Sequence, residues 1–142
     1  MAINHVPRRS ADNPTGCCPK INPSDWDGKT FTFKSKLFVR FTVSSFLYIP
    51  INMGSRILNI MEMVDKAGAE DKAEGFMLSY DISPWQSEHF LSVTKEVAGL
   101  ENVKLSGTFL SKVFEGPYKD APKWMAAMQE YVHSQGKKAK KQ

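Results

Sequence analysis

The chain has 142 residues, of which 42% are hydrophobic and 24% are charged, a balance typical of one globular domain that buries its own core. No stretch approaches the roughly 20 consecutive apolar residues of a membrane helix, and the N-terminus lacks the apolar run of a secretory signal. We therefore predict a cytoplasmic protein without a membrane partner. The net charge of +4 arises from the lysines within 137–142, a pattern typical of a solvated tail and not of a nucleic-acid site.

The first 28 residues include four prolines and predict an irregular N-terminal arm. The folded domain is predicted over 29–136, followed by the basic tail over 137–142. Residues 29–34 alternate apolar and polar side chains, as a half-buried strand does, and a second strand-like run extends from 37 to about 51.

Helical spacing of apolar residues then predicts a helix between an N-cap at Ser55 and a C-cap at Gly68. A closing helix is predicted to begin at Asp120. Between the two helices, strands are predicted at 76–81, 88–97 and 103–115. This order, strand–helix–strand–strand–strand–helix, predicts an α+β fold in which both helices pack on one face of a mostly antiparallel sheet.

The two cysteines, Cys17 and Cys18, are adjacent, and neighbouring cysteines rarely bridge because the peptide between them would be strained. We expect reduced thiols in a loop. A metal site would require ligands from beyond this chain, because His5, His89 and His133 do not pair at metal-ligand spacing. With no phosphate-binding glycine loop in the sequence either, no cofactor is predicted.

Several short segments carry a family resemblance when they are taken in chain order. Gly-Thr-Phe at 107–109 is followed by Val-Phe-Glu-Gly-Pro-Tyr at 113–118, which leads into the last helix. With the order of elements, this pair resembles the GyrI-like family. Further segments resemble a bacterial branch labelled only "hydrolase": Asn-Pro-Thr-Gly-Cys-Cys-Pro at 13–19, Pro-Trp at 84–85, Ser-Val-Thr-Lys-Glu-Val at 92–97 and Lys-Leu-Ser-Gly-Thr at 104–108.

The resemblance implies a duplicated strand–helix–strand–strand unit whose final strand is absent from this chain. A sheet edge left open in this way could pair with a second copy to form a homodimer. The branch commonly carries a Cys-x-x-Cys pair after the lysine-rich segment, and such a pair could complete a metal site with Cys17 and Cys18.

Members of the family bind planar, often cationic compounds in a cleft between the two units, and some hydrolyse electrophilic compounds with a glutamate and an aromatic partner. The resemblance therefore implies a planar apolar or cationic small-molecule ligand, and hydrolysis as the activity. Two alternatives stay open: binding or sequestering a compound without turnover, and regulating another protein by binding it.

The family's glutamate belongs to the absent strand, and a related glutamate-then-apolar pattern in the first unit makes Glu88 its substitute. A carboxylate desolvated by aromatic walls gains basicity, so Glu88 could act as a general base or an electrostatic stabiliser. Tyr118 is the predicted catalytic partner. The predicted ligand-binding aromatic residues are Tyr80, Trp85, Phe90 and Phe109. Glu88 could instead be an exposed strand-edge residue, and Tyr118 could cap the second helix.

The serines and histidines of the sequence give no catalytic pattern. There is no Gly-x-Ser-x-Gly elbow, and a Ser–His–Asp triad cannot be argued from scattered residues. His89 alternates to the face opposite Glu88, so the two side chains are not predicted to share a site.

Overall fold

The computed structural model describes residues 3–8 and 22–138, with the side chain of Tyr118 excepted. Cys17 and Cys18 lie outside the described residues, so the expectation about their thiols stays a prediction. In the described part of the chain, no helix is long and apolar enough to cross a lipid bilayer. The elements, in chain order, are α1 (Pro23–Trp26), β1 (Lys29–Phe46), β2 (Ile49–Pro50), α2 (Met53–Lys66), β3 (Met77–Ser83), β4 (Gln86–Ser92), β5 (Glu101–Ser111), a 3-10 turn (Tyr118–Asp120) and α3 (Ala121–Ser134).

The five strands form one sheet around the long strand β1. Along one edge β1 pairs with β4, which in turn pairs with β3. Along its other edge β1 pairs with β5 and, near its end, with the short β2. All of these pairings are antiparallel, which confirms the predicted α+β class with a mostly antiparallel sheet. The duplication of a strand–helix–strand–strand unit stays a prediction.

The two strands predicted at 29–34 and 37–51 are largely one continuous strand, β1, with an irregularity after Phe33. Ser35 has a positive φ of 51° there, and its amide N–H donates to Ser106 Oγ at 2.8 Å instead of to the strand ladder. The irregularity resets the alternation of side chains, so Phe33 and Phe38 reach the same side of the sheet.

The sheet buries an apolar cluster on each side. On the side that we call the α2 face, the helix α2 packs on β1, and the buried residues include Val39, Phe41, Val43, Ile60 and Val64. On the side that we call the aromatic face, the buried residues are Val6, Phe33, Phe38 and Phe90. Both faces of the central strands are therefore covered over part of their length, as in a small α+β domain.

The helices begin close to their predicted starts. α2 begins ahead of the predicted N-cap Ser55, with Asn52 as the residue before its first turn. The Asn52 side chain accepts a hydrogen bond from Ser44 N of β1 at 3.1 Å. α3 begins directly after the predicted N-cap Asp120.

Two ring contacts join α3 to the chain just after the end of β5. Trp124 stacks on Phe114 with ring centroids 6.2 Å apart. Lys112 Nζ lies 5.2 Å from the ring centroid of Tyr131, a cation–π contact. Val132 is the buried residue of the helix. These contacts place α3 beside the start of β1 and the end of β5, because Lys29 pairs with Ser111.

We predict that Phe38→Ala lowers the free energy of unfolding by about 3–5 kcal/mol, because Phe38 is fully buried and the deletion leaves a cavity among its ring neighbours. Phe46→Ala is the matched control, since Phe46 is 57% exposed on the same strand, and it is expected to cost less than about 1 kcal/mol. Urea unfolding followed by circular dichroism measures both. Equal losses in the two variants would contradict the assignment of the core.

Candidate functional site

Strand β4 carries consecutive buried polar side chains in the middle of the sheet. Ser87, Glu88 and His89 are each no more than 5% exposed. Side chains alternate along a strand, so Glu88 and Phe90 point to the aromatic face while Ser87 and His89 point to the α2 face. Buried polar groups require hydrogen-bond partners. The partners of Glu88 and those of His89 are different residues on opposite faces of the sheet.

On the aromatic face, Glu88 forms an ion pair with Arg40 of β1. Arg40 Nε donates to Glu88 Oε2 at 2.8 Å, and Arg40 Nη1 donates to Glu101 Oε2 at 3.1 Å. These hydrogen bonds raise the pKa of Arg40 above its ordinary value. The ion pair holds the Glu88 carboxylate against a guanidinium, and the two roles offered for Glu88, general base and electrostatic stabiliser, stay predictions.

The structure brings one predicted aromatic residue directly beside Glu88. Tyr80 of β3 is its cross-strand partner, and directly opposed residues of an antiparallel pair share a face. Phe90 lies one alternation further along β4 and is buried in the aromatic cluster, edge-on to Phe38 with centroids 6.4 Å apart. Glu88 is therefore next to a phenol ring and a buried phenyl ring.

The other predicted site residues lie elsewhere. Trp85 is at the turn between β3 and β4, where it is 55% exposed and packs on Phe46 at 5.6 Å. Phe109 of β5 packs against Phe33 at 4.8 Å within the aromatic cluster. The backbone of Tyr118 begins the 3-10 turn, and its side chain lies outside the described part. The catalytic and ligand-binding roles assigned to these residues stay predictions.

On the α2 face, the imidazole of His89 is held between two serine hydroxyls. Its Nδ1 lies 2.8 Å from Ser79 Oγ on β3, and its Nε2 lies 2.9 Å from Ser87 Oγ on β4. The ring of Phe41 stacks on it with centroids 5.2 Å apart. Ser79 is exposed, whereas Ser87 and His89 are buried. One hydroxyl of the cluster is therefore open to solvent, and the ring that it contacts is shielded.

Burial lowers the pKa of His89 below the ordinary histidine value, and the nearby charges of Asp81 and Glu88 oppose this effect. The ring is accordingly neutral at pH 7. A neutral imidazole has one nitrogen that donates and one that accepts, so one of the two serine hydroxyls donates its hydrogen to the ring. One nitrogen of His89 can therefore accept a proton from a serine hydroxyl.

Sequence reasoning predicted that Glu88 and His89 face opposite ways, but it missed the serines around His89. The i, i+2 spacing of Ser87 and His89 could have indicated that these two side chains lie together, because such positions share a face in any strand. Ser79 could not be found by counting back from the turn, because the register shifts between Asp81 and Ser83. Among the residues that the structure describes, no group of three or more His, Cys, Asp or Glu is placed to hold a metal ion.

A model of the family described as bacterial hydrolase matches residues 8–142. The chain belongs to the bacterial hydrolase family. Comparison with curated proteins and with solved structures gave no significant match. The family description agrees with the resemblance to a branch labelled "hydrolase", while the GyrI-like assignment stays a prediction.

For this bacterial hydrolase family member, we predict that Arg40→Met lowers the free energy of unfolding by about 3 kcal/mol, because it leaves the buried Glu88 carboxylate without its guanidinium. The double variant Arg40→Met/Glu88→Leu is expected to be more stable than Arg40→Met alone. Glu101→Gln is the control, since Glu101 is 55% exposed, and it should cost less than about 1 kcal/mol. A double variant less stable than Arg40→Met alone, measured by urea unfolding, would contradict a buried ion pair.

The lowered pKa of His89 predicts a pH-dependent stability. The unfolded chain binds a proton on His89 below the ordinary pKa of 6.5, whereas the folded chain takes up this proton only at a lower pH, so the free energy of unfolding falls as the pH decreases below 7. His89→Gln should remove up to about 1.4 kcal/mol per pH unit of this slope. His133→Gln, on the exposed end of α3, should keep the wild-type slope. Identical slopes for wild type and His89→Gln would count against the assignment.

Proposed function

We propose that this chain hydrolyses a small apolar compound with an electrophilic carbonyl carbon, with Ser79 as nucleophile and His89 as general base. The single observation that carries the proposal is the 2.8 Å distance between Ser79 Oγ and Nδ1 of a buried, neutral His89. A serine becomes nucleophilic when an adjacent base takes its proton, and the base works best when a third group orients it.

The different exposure of the two serines assigns their roles. Ser79 is exposed on the edge strand β3 and can meet a substrate, whereas Ser87 is only 3% exposed. Ser87 Oγ, at 2.9 Å from Nε2, is suited to accept the N–H of the ring and to hold the tautomer in which Nδ1 is the acceptor. The stacked ring of Phe41 fixes the plane of the imidazole.

The chemistry follows from this arrangement. As Ser79 Oγ bonds to the carbonyl carbon, its proton moves to His89 Nδ1 and the carbonyl electrons move to the oxygen. Collapse of the tetrahedral intermediate breaks the bond to the leaving alcohol, which takes the proton from the imidazolium. Water then attacks the acyl-serine in the same way, giving up its proton to His89, and release of the acid restores both residues. Asp81, whose charge is felt by His89, favours the transient imidazolium.

The neighbours of Ser79 indicate the substrate class. Met77 and Asp81 lie two residues away on the same strand and share the face of Ser79. Met77 is 36% exposed and offers an adaptable apolar contact, while Asp81 is an exposed carboxylate. An apolar or cationic ester fits these neighbours better than an anionic one, which agrees with the planar apolar or cationic ligand predicted from the family resemblance.

A second candidate places the reaction on the aromatic face, at Glu88. The buried pair of Glu88 with Arg40 favours it, because buried ionised groups are frequent at functional sites. Glu88 and Ser79 point to opposite faces of the sheet, so variants of one leave the contacts of the other in place. Binding without turnover is the alternative if the wild-type protein binds such a compound and does not hydrolyse it.

We predict that Ser79→Ala lowers kcat/KM for 4-nitrophenyl acetate by at least about a hundredfold, since it removes the nucleophile. The release of 4-nitrophenolate measures the rate. Ser134→Ala, an exposed serine on α3, is the matched control and should keep wild-type activity. A fluorophosphonate probe should add its mass to the peptide that contains Ser79.

Three outcomes separate the candidates. Loss of activity in Ser79→Ala, with folding retained by circular dichroism, supports the serine mechanism. Full activity in Ser79→Ala together with loss in Glu88→Gln assigns the reaction to the aromatic face. Wild-type protein that neither hydrolyses the ester nor takes up the probe contradicts both assignments.

A further inference from the structure

A groove of about 370 Å³ opens beside β1, at a stretch where no strand among the described residues pairs with one edge of β1. β5 pairs with β1 only as far as Arg40, and β2 resumes the pairing at Ser45. In the gap between them, Arg56 of α2 donates from Nε to the carbonyl oxygen of Thr42 at 3.3 Å. The groove lies between this exposed edge, α2 and the loop that precedes β5.

Arg56 is the positively charged residue of the groove that has N–H groups available to a ligand. The side chain is half-buried, and its Cζ lies 6.0 Å from the ring centroid of Phe41. Within residues 3–8 and 22–138, Arg56 makes no ion pair, whereas Arg40 in the same groove contacts two carboxylates. A guanidinium whose Nε is occupied still has its terminal N–H groups, and a planar pair of such donors matches the two oxygens of a carboxylate.

The remaining walls are largely apolar. Ile60 and Met63 line the groove from α2, and Leu100 lines it from the opposite loop. The loop approaches α2 closely at Gly99, whose φ is +84° and where an added Cβ would lie 3.3 Å from Met63 Cε. A concave, mostly apolar site with one precisely placed charged group is the usual form of a small-molecule pocket.

We propose that this groove binds a small organic carboxylate with an apolar body, such as an aryl carboxylate, with Arg56 as the residue that recognises the charge. The apolar body lies against Ile60, Met63 and Leu100. Asn59, three residues after Arg56 and so on a neighbouring helix position, offers a side-chain amide at the mouth of the groove.

The charges around Arg56 select a monoanion over a dianion. Glu101 lines the groove, and Glu88 lies behind Arg40. These two carboxylates outweigh Arg40 by one negative charge. Arg56 offsets one charge on a ligand, and a second negative charge, as on a phosphate, would be repelled. Binding in this groove is independent of the hydrolytic reaction, because Ser79 lies on β3 and the groove lies on the far edge of β1.

Titration of the ¹⁵N-labelled protein with benzoate, benzamide and acetate, followed by amide NMR shifts, tests the site. Benzoate should give saturable shifts at Asn59, Gly99 and Leu100. Benzamide has the same shape without the charge, and acetate has the charge without the ring. Each should bind at least about tenfold more weakly, the effect expected for losing one charge-assisted hydrogen bond or most of the apolar contact.

Arg56→Gln should weaken benzoate binding by at least about tenfold. Lys66→Gln is the matched control, because it removes the same charge from an exposed position of the same helix, and it should leave the affinity unchanged. Equal affinity for benzoate and benzamide in the wild-type protein overturns the proposal whether or not Arg56→Gln folds. Unchanged benzoate binding in a folded Arg56→Gln variant overturns it as well.

Discussion

The structure depends on satisfying the polar side chains that β4 buries between two faces of the sheet. A buried carboxylate or imidazole without partners costs several kcal/mol, so Glu88 and His89 are compatible with this fold only because β1 and β3 supply their partners. Arg40 reaches Glu88 from one neighbouring strand, and Ser79 reaches His89 from the other. The polar contacts of both clusters therefore depend on the pairing of β1, β4 and β3.

Two register shifts, one in β1 and one in β3, shape the surroundings of these contacts. The irregularity in β1 after Phe33 lets Phe33 and Phe38 share the aromatic face, which builds the core beside the Arg40–Glu88 pair. The irregularity between Asp81 and Ser83 sets the alignment of β3 on β4 so that Ser79 lies opposite His89. Bulges commonly re-aim side chains near functional sites, and here a shift by one residue would turn Ser79 to the other face.

The sequence predicts the local features well and the long-range partners poorly. Alternation and helical spacing predicted the two longer helices, most strands and the opposite orientation of Glu88 and His89. Counting back from the Ser83–Gln86 pair without a shift would place Tyr80 opposite His89, because the shift in β3 leaves no mark in the residue pattern. Arg40 is 48 residues from Glu88, and nothing in the composition of β1 singles it out as the partner of a buried carboxylate.

The central claim is that His89 is a neutral base whose Nδ1 accepts the hydrogen of an exposed serine. The most direct measurement is the ¹⁵N NMR spectrum of the His89 ring at pH 7, which distinguishes the two neutral tautomers from imidazolium. We expect a ring protonated on Nε2 alone, with the Nδ1 lone pair directed at Ser79. A ring that carries its proton on Nδ1, or on both nitrogens, would contradict it.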